Sequence, residues 1–175
     1  MPDSRPRGPA IRGGMLTTMV YISRRAEFCA SHRLHNPTLS DEENCRIYGL
    51  CNNPHGHGHN YQVEVTVRGS VDPMTGMVMD LKVLKDLMDE AIIDKMDHRH
   101  LNLDVEHMRG VIPTAENIAV ALWEMMAPRL PGNCELYEVR VWENERNVAF
   151  YRGEGAELVR HEGMAEAVRR AASRA

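Results

Sequence analysis

Residues 51–60 read CNNPHGHGHN, placing a thiol, Cys51, and three imidazoles, His55, His57 and His59, within nine positions. Such groups ligate metals, and a thiolate near a metal or a charged imidazole has a depressed pKa and serves as base or nucleophile. A catalytic zinc takes imidazole nitrogens at about 2.0–2.1 Å and keeps a fourth position for water or substrate. On one face of a strand, residues i and i+2 lie roughly 6.6 Å apart, which suits two ligands of one metal; 55 and 59 would be about twice as far apart. Spacing therefore favours 55/57 or 57/59 and does not choose between them.

More chemistry lies elsewhere in the chain. His32 continues the alternation Ala26, Phe28, Ala30, so it sits where an apolar strand face runs out. Glu143 follows Tyr137, Val139 and Val141 in the same way. His57 and His59 share parity with Tyr61, Val63 and Val65, although a bulge at Gly56 or Gly58 would flip that parity. In KMDHRHLN (95–102), Asp97 precedes His98, a pairing that fixes an imidazole tautomer and supports proton transfer. Thr114 reads as a helix N-cap, and Glu116 either complements that helix dipole or faces a ligand. Taken singly, an H-x-H is a polar strand edge. A third histidine at another strand end and a nearby thiol favour a three-histidine catalytic zinc.

The elements that must hold these groups follow from periodicity. Residues 18–30 and 61–68 alternate as half-buried strands, with a long loop over 34–56 between them. DPMTG (72–76) turns the chain. Asp80 caps a helix whose apolar positions Leu81, Leu84, Leu87, Met88, Ala91, Ile92 and Met96 keep the 3.6 period. A second helix starts at Pro113-Thr114 with Ile118, Ala119, Leu122, Met125 and Met126 on one face. Strands over 136–143 and 148–152 follow, joined by NERN (144–147). The order predicts an α+β fold: an antiparallel four-stranded sheet with two helices on one face. The expected domain spans 18–153. Residues 1–17 read as a disordered extension, and 154–175 as a weakly structured tail, a frayed helix or disorder.

Composition bounds the function. The chain has 175 residues, a net charge of −4 and 43% apolar residues, which suits one domain and fits neither a polyanionic tail nor a basic nucleic-acid binder. The Arg-, Gly- and Pro-rich start lacks the apolar core of a signal peptide, and no stretch approaches the roughly 18 apolar residues of a membrane span. The four cysteines make no C-x-x-C pair, so metal or catalytic use is favoured over disulfides. The expectation is a cytoplasmic protein with no nucleic-acid or membrane partner.

The stretches ASHRLHNPTLSDEEN (30–44), CNNPHGHGHNY (51–61), DPMTGMVMDL (72–81), MDHRHLN (96–102) and PTAENIAV (113–120) together closely resemble the 6-pyruvoyl-tetrahydropterin synthase family, from about Met19 to Gly153. The resemblance implies the tunnelling or T-fold, with three subunits joining sheets into a barrel and two trimers stacking as a homohexamer. It implies Zn2+ on His32, His57 and His59, with His55 outside the set. It implies a proton-handling group of Cys51, Asp97 and His98, a pterin anchored by Glu143, and a pocket lined by Thr114 and Glu116. Ala115 stands where a second threonine was expected.

The implied substrate is 7,8-dihydroneopterin triphosphate, which loses triphosphate while its side chain rearranges by internal redox. No nicotinamide is needed, and no Gly-rich dinucleotide motif is present. Five residues separate Cys51 from His57, as in the pyruvoyl-forming type. The 6-carboxy-tetrahydropterin synthases of the queuosine pathway typically have three, and a folate-pathway variant carries glutamate at the cysteine position. The alternatives are thus a carboxy-forming synthase and, in another class, a non-catalytic zinc-stabilised pterin-binding module.

Overall fold

The structure is a computed structural model and describes residues 19–174; the extension expected over 1–17 lies outside them. Two long strands, β1 (Met19–His32) and β2 (His57–Ser70), pair antiparallel without a break from Met19↔Ser70 to His32↔His57. The glycines of the histidine stretch therefore introduce no bulge, and the parity read from sequence holds. Phe28, Tyr61, Val63 and Val65 are buried on one face, and the intervening residues lie on the other.

After α2 (Leu81–Met88) the chain widens through a π-helical turn, Asp89–Ile93, into the short α3 (Asp94–Met96). Asp80 caps α2 by accepting from the Lys82 N–H at 2.8 Å. Leu84, Met88, Ala91, Ile92 and Met96 are buried as the period requires, whereas Leu81, in the first turn, is exposed. The next helix begins at Ala115 behind the cap Thr114, whose hydroxyl accepts from the Asn117 N–H.

The sheet has five strands rather than four, in the order β3-β1-β2-β4-β5. The addition is β3 (Arg99–His100), two residues running parallel to β1 opposite Ala30 and Ser31. It is too short to leave a periodic signal. The strands β4 (Cys134–Trp142) and β5 (Val148–Tyr151) complete the antiparallel part. The register between β2 and β4 shifts at Thr66/Val67, leaving Tyr137 as the extra residue. The bulge turns Tyr137 out of the series with Val139 and Val141, and its ring meets Tyr21 edge-on at 4.6 Å.

The loop expected over 34–56 contains a helix, α1 (Asp41–Tyr48). Ser40 and Glu43 form a reciprocal capping box at its start, a signature present in the sequence as S-D-E-E. With the helix beginning at Ala115 numbered α4 (Ala115–Met126), the last helix is α5 (Met164–Ala172), in the tail expected to be weakly structured. Its Met164 and Val168 are buried, so the tail is docked on the body of the domain. Ile118, Ala119, Leu122, Met125 and Met126 of α4 are buried in the core, the helix packing on β4 and β5.

Candidate active site

The β1–β2 register builds the centre of the site. His57 lies directly across from His32, and His59 across from Ala30, so the three imidazoles share the helix-covered face where its apolar residues end. One nitrogen from each of His32, His57 and His59 lies within 4.8 Å of the others. His55, by contrast, is exposed, and its backbone N–H is taken up by the Asn53 side chain. Of the histidines that spacing left open, the structure brings 57 and 59 together with 32 and leaves 55 out.

Tautomers follow from hydrogen bonds. The Pro113 carbonyl, just before α4, can only accept, and it lies 2.7 Å from His32 Nδ1. The proton therefore sits on Nδ1, and the lone pair on Nε2 faces His57 Nε2 at 3.0 Å. Around a tetrahedral zinc two ligand nitrogens would stand about 3.3 Å apart, so this spacing is close to what a shared metal needs. His57 Nδ1 and His59 Nε2 are buried and have no partner. The metal spacing runs through His57 Nε2, so of these two orphans it is His59 Nε2 that a metal at the cluster would take up, and a buried nitrogen left unpaired is costly.

Electrostatics agree. Burial pushes the His32 imidazole down to about 4, opposed by the Pro113 carbonyl and assisted by His57 and His59. Burial, then the neighbouring His59, also lowers His57. Both are neutral near pH 7, the form that binds a metal.

Two oxygens border the cluster. Glu143 Oε1 lies 3.8 Å from His32 Nε2 and 3.7 Å from His59 Nε2, just past the end of β4. The Tyr61 hydroxyl stands 3.3 Å from His32 Nδ1 and 3.4 Å from Nε2. Burial, followed by the charges of Glu143 and Cys51, pushes its pKa up. Sequence reasoning counted Tyr61 among the core residues only; the signal it carried was a hydroxyl on an otherwise apolar face.

Cys51 lies in a 3₁₀ turn, Gly49–Asn52, partly exposed, with its carbonyl accepting from the Leu34 N–H at 2.9 Å. The turn delivers the chain to Gly56, whose φ of 71° is left-handed and where a Cβ would come 2.8 Å from the His32 carbonyl oxygen. Only glycine fits there. His100 approaches the same point, and its Nδ1 is another buried nitrogen without a partner.

Asp97 and His98 form the expected pair on the outer side of β1. Asp97 Oδ1 accepts from the Cys29 N–H at 2.8 Å, and Oδ2 accepts from His98 Nδ1 at 2.8 Å. These two bonds, the Cys29 amide first, hold the Asp97 carboxyl below its ordinary range. His98 has a φ of 55°, a conformation costing on the order of 1 kcal/mol for a non-glycine residue, and its backbone N–H bonds the Cys29 carbonyl. Its side chain is 82% exposed, presenting Nε2 to the exterior. Among the described residues no hydrogen bond joins Cys51 to this pair. Thr114 is occupied as the α4 cap, and Glu116 is exposed in the first turn of that helix.

The arrangement can hold a metal on three imidazoles, with a carboxylate and a phenol beside it and a separate carboxylate–imidazole pair at the surface. Among the described residues no helix is long and apolar enough to cross a membrane.

Comparison with known proteins matches this geometry to a family. The family described as 6-pyruvoyl tetrahydropterin synthase matches residues 21–154. A Poecilia reticulata protein named 6-pyruvoyl tetrahydrobiopterin synthase is 50% identical over 154 residues, covering 88% of this chain and 100% of that one. A human protein of the same name is 49% identical over 142 residues, covering 81% and 97%. The solved structure of Caenorhabditis elegans 6-pyruvoyl tetrahydropterin synthase superposes with a TM-score of 0.74 at 41% identity, covering 79% of this chain and 98% of that one.

Proposed function

The chain belongs to the 6-pyruvoyl tetrahydropterin synthase family, and from that premise we propose that it converts 7,8-dihydroneopterin triphosphate to 6-pyruvoyl-tetrahydropterin and triphosphate. The observation that carries the reading is the convergence of three imidazoles, His59 with a buried Nε2 that has no partner among the described residues, beside Glu143 at the end of the core face. We assign zinc to His32, His57 and His59. Bound there, it would supply Lewis-acid stabilisation of negative charge developing on the substrate side-chain oxygens.

The chain's own residues do the rest. Pro113 holds His32 with its Nε2 lone pair turned inward. Glu143 anchors the pterin by accepting two N–H bonds from the planar ring edge, a charge-assisted bidentate contact. Thr114 and Glu116 line the pocket. Cys51, as thiolate, removes a carbon-bound proton. Asp97 fixes the His98 tautomer, leaving Nε2 to pass a second proton.

Within one chain Cys51 has no bond to Asp97 or His98, which supports a site assembled between subunits. Sheet edges support the same reading. Among the described residues, the outer edge of β1 is paired only by the two-residue β3, and β5 ends the other side with Val148 and Phe150 exposed. Unpaired edges call for partners. The proposed assembly is a homohexamer of two trimers, cytoplasmic, acting on a small-molecule pterin without nucleic acid or membrane.

The test is to give the zinc-loaded protein 7,8-dihydroneopterin triphosphate alone and identify the product by mass. The expected product keeps all three side-chain carbons as a pyruvoyl group, in line with the five-residue spacer between Cys51 and His57. A carboxy product with acetaldehyde would mean the carbon–carbon-cleaving activity instead. No turnover, with zinc bound and Cys51 reduced, would leave a pterin-binding module.

A further inference from the structure

A second cavity, about 490 Å³, opens between the α1 region and α5. Its lining includes Arg33, His35, Asp41, Asn52, Arg170 and Arg174. Arg33 is 3% exposed, and its backbone is locked to Asn102 by bonds of 2.9 and 3.0 Å. Its Nε donates to the Asn52 carbonyl at 3.1 Å, which fixes the guanidinium plane. Yet Nη1 is buried and has no partner. Arg33 lines the cavity with its guanidinium held in place and one buried N–H unsatisfied, a group that a nearby acceptor would stabilise.

The opposite wall supplies more positive charge. On α5 and the turn that follows it, Ala167, Arg170, Ala171 and Arg174 recur at i, i+3, i+4 and i+7, so this segment turns two arginines and two small residues toward the cavity. Arg170 shares its charge with Glu166 through an exposed contact of 3.2 Å. The helix is held by its buried Met164 and Val168 and by Arg160, which donates to the carbonyls of His107 and Arg109. Three guanidinium groups thus face one carboxylate, Asp41, with the His35 imidazole beside them, its Nδ1 3.1 Å from Asn52 Oδ1. That balance suits an anion with several charges and many acceptor oxygens.

We propose that this cavity binds a polyphosphate chain, with Arg33, Arg170 and Arg174 donating to its phosphoryl oxygens. The wall is made by the immediate neighbours of site residues: Arg33 follows His32, and Asn52 follows Cys51. The cavity is therefore suited to the triphosphate of the substrate, an identification that rests on the proposed reaction; the anion chemistry itself does not. Arg170 and Arg174 lie beyond residue 154, where the family match ends.

The experiment is calorimetric titration of inorganic tripolyphosphate into the full-length protein, the double variant Arg170→Ala/Arg174→Ala and the charge-keeping Arg170→Lys/Arg174→Lys. The expected result is saturable, salt-sensitive binding to the unaltered protein. Affinity should fall about tenfold or more in the alanine pair and be largely retained in the lysine pair, as charge-assisted contacts require. Competitive inhibition by tripolyphosphate, with a raised KM and unchanged kcat in the alanine pair, would identify the ligand as the substrate's triphosphate. Binding with the same arginine dependence but no competition would identify free polyphosphate as the ligand. Absence of saturable binding, or equal affinity in the unaltered protein and the alanine pair, would overturn the proposal even if turnover is normal. Conversely, arginine-dependent binding in a protein that does not turn over would sustain the cavity and remove the reaction.

Discussion

Two polar clusters are set into the same sheet, one on each face, and they are finished differently. On the face away from the helices, Glu138 is 4% exposed and is bonded by both Arg140 and Arg152, the latter at 2.7 Å. Beside it Ser23 and Thr66 bond each other at 2.8 Å, and Arg152 lies over the rings of Tyr137 and Phe150. Every buried side-chain donor and acceptor of that cluster has a partner within the chain. On the other face, His57 and His59 each keep a buried nitrogen with none. A satisfied polar network contributes to the scaffold, whereas an unsatisfied one is a standing cost that a bound ligand relieves. The difference separates a finished scaffold cluster from the candidate site.

The sharpest way to break the comparison is to alter one side chain in each cluster. His32→Ala should abolish turnover in the product assay while the protein remains folded by circular dichroism. Retained activity would show that the imidazoles are scaffold after all. Next in size, Cys51→Ala should keep the metal and the fold yet lower kcat by roughly 100- to 10,000-fold, the usual range for losing a general base. Near-normal kcat would move the base role to the Asp97–His98 pair.

A smaller effect is expected where a carboxylate recognises substrate. Glu143→Gln should weaken pterin binding about 10- to 100-fold, as loss of charge-assisted hydrogen bonds does, and fluorescence titration with a pterin would measure it. Unchanged affinity would remove Glu143 from the pocket.

The smallest effect belongs to the satisfied cluster. Glu138→Gln should cost about 1–2 kcal/mol in denaturant unfolding, because Arg140 and Arg152 are partly exposed and water takes up much of their lost bonding. It should leave kcat unchanged. Burial alone would raise the Glu138 carboxyl, but Arg140 and Arg152 hold it below the ordinary carboxylate range. A depressed acid adds stability above its unfolded pKa and loses it as pH falls through the folded value. The gap between the unaltered protein and Glu138→Gln should therefore be full near pH 7 and close in acid. A gap that widened in acid would contradict the assignment.

What could be read from sequence was whatever repeats or terminates a pattern. The alternation of Val63 and Val65 and the helical period of Leu84, Met88 and Ile92 located the core, and the polar groups closing those faces located the histidine cluster. Other features leave no periodic trace. The two residues of β3 are paired only by tertiary placement, and the bulge at Tyr137 reflects a register shift against Thr66 and Val67. The Pro113 carbonyl on His32 and the Nη1 of Arg33 are backbone and orientation facts that residue types do not carry. Helix α1 is different, because Ser40 and Glu43 announced it and the loop-like composition around them outweighed that signal. Helix α5 was obscured by its composition: two buried side chains, Met164 and Val168, anchor an otherwise Ala-, Arg- and Glu-rich segment.

The central claim is that the unsatisfied imidazoles are reserved for a metal. Elemental analysis of the purified protein and of four single alanine variants, at His32, His55, His57 and His59, tests it most directly. The account predicts about one zinc per chain in the unaltered protein and in His55→Ala, with the metal lost from the other three. Loss of zinc from His55→Ala together with its retention in His59→Ala would contradict it.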